Sequence, residues 1–79
     1  MKVLSLMVGP IMTNCYILCD EEAKVCAVID PGDEPERIAA MIASSGCTPT
    51  MLLLTHGHFD HYTGVAGLLE KWPELPVYI

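Results

Sequence analysis

The sequence predicts an α/β fold in which helices pack on a sheet. Two observations carry that prediction. Apolar runs of strand length recur between turn residues along the 79-residue chain. In the second half these runs alternate with stretches whose apolar residues repeat at helical spacing, giving the order β-β-β-α-β-α-β.

Lys2 to Val8 is short, apolar and β-compatible, and Gly9-Pro10 stops it. Asn14 to Asp20 reads as a second strand, and the polar Asp20 to Lys24 suits a hairpin connection. Val25 to Asp30 is nearly all apolar, as expected of a strand covered on both faces. Pro31-Gly32-Asp33 is turn chemistry. A helix follows, with acidic residues at its positive end, Asp33 as the expected N-cap and Pro35 in the first turn. Ile38, Met41 and Ile42 form its buried stripe, and Gly46 is its expected stop. Thr50 to His56 is another strand. Val65, Leu68, Leu69 and Trp72 mark a second helix that starts after about Tyr62 and ends at Pro73, and Pro76 to Ile79 begins a further strand.

Composition narrows the function. Apolar residues make up 52% and charged residues 18%, which is rich for so short a chain and predicts that some apolar surface is covered by more chain or another subunit. The net charge is -6, and Lys2, Lys24, Arg37 and Lys71 are dispersed, so no basic patch exists to engage nucleic acid. No apolar run has the length of a membrane span. Met1 to Met12 faintly imitates a signal peptide, but Gly9-Pro10 interrupts it and no small-x-small site follows, so a cytoplasmic location is expected. Cys15, Cys19, Cys26 and Cys47 form no C-x-x-C pair, which argues against a zinc knuckle or thioredoxin motif. They read as reduced core cysteines.

The chemistry concentrates in THGHFDHYTG, Thr55 to Gly64. All three histidines of the chain stand there, with an aspartate, as His56-x-His58-x-Asp60-His61. The preceding strand delivers them to the loop at its carboxyl end, the edge where α/β sheets bind ligands. Residues two apart in extended chain point the same way, so His56 and His58 can reach one metal ion together. Asp60 and His61, where the chain turns toward the helix, can point to a second ion. Imidazole and carboxylate donors suit zinc, and also iron or manganese. Gly57 helps a ligand loop fold tightly, and Gly64 lets backbone come close at the helix start.

An apolar strand followed by H-x-H-x-D-H resembles the metallo-β-lactamase fold hydrolases. TNCYIL (Thr13 to Leu18), VIDPGD (Val28 to Asp33) and LLLTHGHFDHYTG (Leu52 to Gly64) stand in the order found in the glyoxalase II-like, or hydroxyacylglutathione hydrolase-like, branch. Thr63 stands where many members have glycine. The resemblance implies the N-terminal half of an αββα sandwich, with residues 1–79 as the N-terminal part of a single domain. It implies a pair of zinc ions, with iron or manganese as alternatives. His56 and His58 would hold the first ion, Asp60 and His61 the second. Asp60 would also help hold or deprotonate the attacking water. Two further histidines and a bridging aspartate complete the family's site later in the chain, beyond these 79 residues. Asp30 is either a residue that orients ligands from behind or a strand-end turn former, and the sequence leaves both open.

The implied reaction is hydrolysis of a small thioester, such as an acylglutathione, by metal-activated water. Lactonases, β-lactamases, RNA-processing nucleases and persulfide dioxygenases share the motif. The low basic content weighs against a nuclease, and the dioxygenase would use one iron. A non-enzymatic alternative, preferred for the 79 residues taken alone, is a half-domain that binds metal weakly through the four donors. Nothing in the sequence argues for a particular oligomeric state.

Overall fold

Alternation of inward and outward side chains builds the first hairpin. The computed structural model describes residues 1–10, 13–55 and 63–79. Strand β1 (Lys2–Val8) pairs antiparallel with β2 (Thr13–Asp20), placing Leu6 opposite Cys15. In β2, Cys15, Ile17 and Cys19 are buried while Asn14 and Tyr16 are exposed, the period of two that a strand imposes. β2 pairs antiparallel with β3 (Val25–Ile29) through the polar connection anticipated from the sequence. Asp20 organises that connection. Its Oδ1 accepts the N–H groups of Glu22 and Ala23, both at 3.1 Å, and its carbonyl accepts from Lys24 at 2.8 Å.

Helix α1 (Pro35–Ser45) carries the chain from β3 to β4 (Thr48–Leu53), which pairs with β3 in parallel. Helix α2 (Thr63–Lys71) then precedes β5 (Val77–Tyr78), parallel to β4. The sheet order is β1-β2-β3-β4-β5, and the element order is the one the sequence predicts. β4 begins at Thr48 rather than Thr50 and ends at Leu53 rather than His56. Pro49 is tolerated inside it because the register shifts between Cys26 and Ala27, and Thr50 Oγ1 donates to the Cys26 carbonyl at 2.9 Å there.

The core lies between the sheet and the helices. Ile38 and Ile42 of α1 and Val65 and Leu68 of α2 join Leu6, Val8, Ile17, Val28, Leu52 and Leu54 in one buried cluster. Leu69 continues the α2 stripe half-buried, Trp72 packs on the same core just past the end of α2 at Lys71, and Met41 continues the stripe of α1. Each fully buried aliphatic side chain contributes about 1.5–3 kcal/mol. All four cysteines are buried and unbridged. Cys19 faces Cys26 across the β2–β3 pair, and burial pushes the Cys26 thiol up to about 11. They serve as small hydrophobes. No helix among the described residues is long and apolar enough to cross a membrane.

Two expectations are corrected. β3 is not covered on both faces among the described residues. Cys26 and Val28 are buried under the helices, but Val25, Ala27 and Ile29 are only half-buried. Their face carries a row of Val3, Leu18, Ala27 and Met51, and beside it Tyr16, Ile29, Leu53 and Tyr78. The N-cap of α1 is Glu34, not Asp33. Glu34 sits in the left-handed region at φ 52, ψ 58 and makes no side-chain cap. Pro35 disfavours the right-handed helical conformation in the residue before it, and Asp33 Oδ1 accepts the Glu34 N–H at 2.8 Å instead. Gly46 ends α1 as expected, left-handed at φ 77 with its N–H on the Ala43 carbonyl.

Candidate metal centre

The candidate site forms where β3 and β4 end side by side. Their last paired residues are Ile29 and Leu53. Just beyond, Asp30 adopts φ 55, a left-handed turn that aspartate tolerates better than most residues. Its N–H donates to the Leu53 carbonyl at 2.8 Å, and its own carbonyl accepts from Gly32 at 2.9 Å. Asp30 is therefore a strand-end turn former. The turn also aims its carboxylate at the neighbouring strand end. Oδ1 accepts the Thr55 N–H at 2.8 Å, and Oδ2 accepts the Thr55 hydroxyl at 2.5 Å. One carboxylate thus fixes both the backbone and the side chain of the residue that immediately precedes His56.

The far side of the histidine segment is held by close packing. A Cβ on Gly64 would lie 2.0 Å from the Pro31 carbonyl oxygen and 2.7 Å from the Asp33 nitrogen. A Cβ on Gly67 would lie 2.3 Å from Pro35 Cγ. Only glycine lets the first turn of α2 rest directly on the chain that follows β3, which is the close approach expected of Gly64. The turn 30–35 therefore anchors both ends of the segment, through Asp30 at Thr55 and through Pro31 and Asp33 at Gly64.

His56, Gly57, His58, Asp60, His61 and Tyr62 lie outside the described residues, as do Ile11 and Met12. The side chain of Thr63 does too. Among the described residues no group of three or more His, Cys, Asp or Glu side chains is placed to hold a metal ion. Cys15, near Asp30, is fully buried in the core. Burial, and then the negative charge of Asp30, push its thiol up to about 12, so it stays protonated at neutral pH. The sequence supplies further donors at this edge in the segment between Thr55 and Thr63. Two imidazoles in alternation, then a carboxylate and a third imidazole, suit a borderline divalent metal.

Thr55 escaped the sequence reading. Its signal was an aspartate and a threonine at the ends of adjacent parallel strands, visible only once the pairing of β3 with β4 is known.

Comparison with known proteins gives a consistent picture. The family model described as the metallo-beta-lactamase superfamily matches residues 8–79. The chain is 42% identical over 79 residues to a probable metallo-hydrolase, YqgX, of Bacillus subtilis, covering all of this chain and 36% of that protein. It is 41% identical over 71 residues to the hydroxyacylglutathione hydrolase of Photorhabdus laumondii, covering 87% of this chain and 28% of the relative. Among solved structures, TTHA1623 in a di-iron-bound form superposes with a TM-score of 0.80 at 42% identity, over 96% of this chain and 37% of that one. The chain spans about a third of the length of the proteins it matches.

Proposed function

Since this chain belongs to the metallo-beta-lactamase superfamily, we propose that it contributes the first metal-binding half of a hydrolase that cleaves a small thioester. The observation that carries the reading is His56-x-His58-x-Asp60-His61 directly beyond β4, in a chain 41% identical to a hydroxyacylglutathione hydrolase.

His56 and His58 would hold one ion, and Asp60 and His61 a second. Zinc fits these donors, and the di-iron form of TTHA1623 favours keeping iron as a candidate. When bound, such a pair supplies Lewis-acid polarisation of a carbonyl and water acidified enough to attack at neutral pH. The chain's own part is positional. Asp30 fixes the direction in which Thr55 enters the histidine segment, and Gly64 fixes the direction in which the chain leaves it. Asp60, besides ligation, would help to hold the attacking water or to take its proton.

The test is thioester hydrolysis by the purified protein, expressed from its complete reading frame, with metal content measured alongside. The reading expects about two metal ions per chain, with turnover abolished by a strong chelator and restored by zinc or iron. Full turnover in metal-free protein would overturn it. So would His58→Ala protein that keeps wild-type activity.

A further inference from the structure

Three of the four cysteines meet at the end of the sheet opposite Asp30 and Thr55. β2 ends at Asp20, β3 begins at Val25 and β4 begins at Thr48, so Cys19, Cys26 and Cys47 arrive there from β2, β3 and the connection between α1 and β4. Cys19 and Cys26 are partners in the antiparallel ladder. The Cys19 thiol also meets the Cys47 thiol and the Ser45 hydroxyl, side chain to side chain, and Cys26 lies in the field of both other thiols. Ser45 organises Cys47 as well. Its hydroxyl accepts the Cys47 N–H at 3.2 Å, and its carbonyl accepts the Cys47 thiol at 3.8 Å. Cys15 stands apart toward the start of β2, with Asp30 rather than a thiol as its charged neighbour.

A buried thiol packs as a small hydrophobe, but thiols held side by side have a second chemistry, oxidation to a disulfide. Among the described residues no three Cys, His, Asp or Glu side chains are placed to share a metal ion, so these thiols are not read as a metal site. Of the pairs, Cys19 with Cys47 is the better placed to close. Directly opposed residues of an antiparallel ladder hold their Cβ atoms roughly 4.5–5.5 Å apart, whereas a disulfide needs about 3.8 Å. Cys19 and Cys26 are both fixed in that ladder, so bridging them would draw two strands together. Cys47 lies outside it, between the Gly46 stop of α1 and the first residue of β4, where the backbone can give. Cys47 is also 9% exposed, against 2% or less for the other three, so an oxidant in solution reaches it first.

We propose that Cys19 and Cys47 are a modification site, a thiol pair that a peroxide converts to a disulfide joining the end of β2 to the connection between α1 and β4. Cys47 gives its proton to solvent, and its sulfur attacks one peroxide oxygen. The O–O bond breaks, leaving a sulfenic acid on Cys47 and a hydroxide that takes up the proton. The Cys19 sulfur then attacks the sulfenic sulfur. An S–S bond forms, the S–O bond breaks, and the hydroxide leaves as water with the Cys19 proton. Two thiols have lost two electrons and two protons, and the peroxide that gained them has become water. This site does not depend on the hydrolase reading.

The experiment treats the purified protein, expressed from its complete reading frame, with hydrogen peroxide. Remaining thiols are alkylated in denaturant, and the chain is cut with trypsin without reduction. Cleavage after Lys2, Lys24, Arg37 and Lys71 leaves Cys15 and Cys19 on 3–24, Cys26 on 25–37 and Cys47 on 38–71. The expected product is 3–24 joined to 38–71, with fragmentation placing the bridge on Cys19, and it is lost on treatment with dithiothreitol. Protein denatured before the peroxide should give mixed pairings instead. The bridge closes a loop of the unfolded chain, so the oxidised protein should unfold in urea at a midpoint higher by roughly 1 M. Cys47→Ser should show no such rise. Joining of 3–24 to 25–37 would overturn the pairing in favour of Cys26. Full alkylation of all four cysteines overturns the site, and so does sulfinic acid on Cys47 without a bridge. The same bridge in the same yield from denatured protein removes the fold as its cause. An unchanged urea midpoint in bridged protein overturns the join as a restraint. If Cys47→Ser does not fold, the wild-type peptide map decides alone.

Discussion

A single carboxylate, Asp30, ties the end of one strand to the end of its neighbour, and its two oxygens do different things. Oδ1 takes a backbone N–H and Oδ2 a hydroxyl, both from Thr55. Asparagine keeps one acceptor for the Thr55 N–H, but it loses the charge that strengthens both bonds, and its NH2 can bond the hydroxyl only with donor and acceptor exchanged. Residues that orient metal ligands from behind typically cost 10–100-fold in metal affinity when replaced, so Asp30→Asn is expected to weaken metal binding by about that factor. Thr55→Val keeps the backbone bond to Asp30 and loses the hydroxyl bond, and should have the smaller effect. Competition against a chromophoric chelator measures both. Wild-type affinity in Asp30→Asn would leave Asp30 as a turn former alone.

At the level of elements, β2 and β3 carry thiols whose burial makes them sensors of alkaline pH. The ordinary value is 9.0, and folding raises Cys15 to about 12 and Cys26 to about 11, burial being the larger cause in each. Between these values the unfolded chain has lost protons that the folded chain keeps. Stability contributed by the neutral thiols is therefore fully present below about pH 9 and is lost as pH rises toward 11 and 12. Urea midpoints should fall above pH 9, with a shallower fall in Cys26→Val; an identical slope in that variant would remove Cys26 from the explanation.

The same elements show what the residues disclose in advance. Alternating burial in β2, the stripe of α1 and the stop at Gly46 were legible because each is a local pattern. A strand that leads up to the histidine motif was legible for the same reason. The Glu34 cap, the register shift beside Pro49 and the hold of Asp30 on Thr55 were not. The last two depend on a partner 24 or 25 positions away, which no periodicity encodes, while the Glu34 cap turns on the local effect of Pro35 on the residue before it.

Considered whole, the molecule is a five-stranded sheet with its described helices on one side. The other side presents apolar rows, with Val3 58% and Tyr78 52% exposed. This agrees with the excess of apolar residues over what so short a chain needs for its own core. The 79-residue chain should therefore bind a hydrophobic dye strongly. Val3→Lys combined with Met7→Lys should reduce dye fluorescence while changing stability by no more than about 0.5 kcal/mol per site. Dye binding unaffected by the pair would place the apolar surface elsewhere.

The strand order has a kinetic meaning as well. Sequence order and spatial order coincide from β1 to β5, so every new strand docks on the edge left by the one before it. Loop-closure costs stay small at each step, and a chain emerging from the ribosome can add strands as they are made. Asp30 is synthesised 25 residues before the threonine it holds. Its carboxylate therefore stands at an open edge until β4 arrives, and docking of that strand brings Thr55, the residue before His56, onto both of its oxygens in one event.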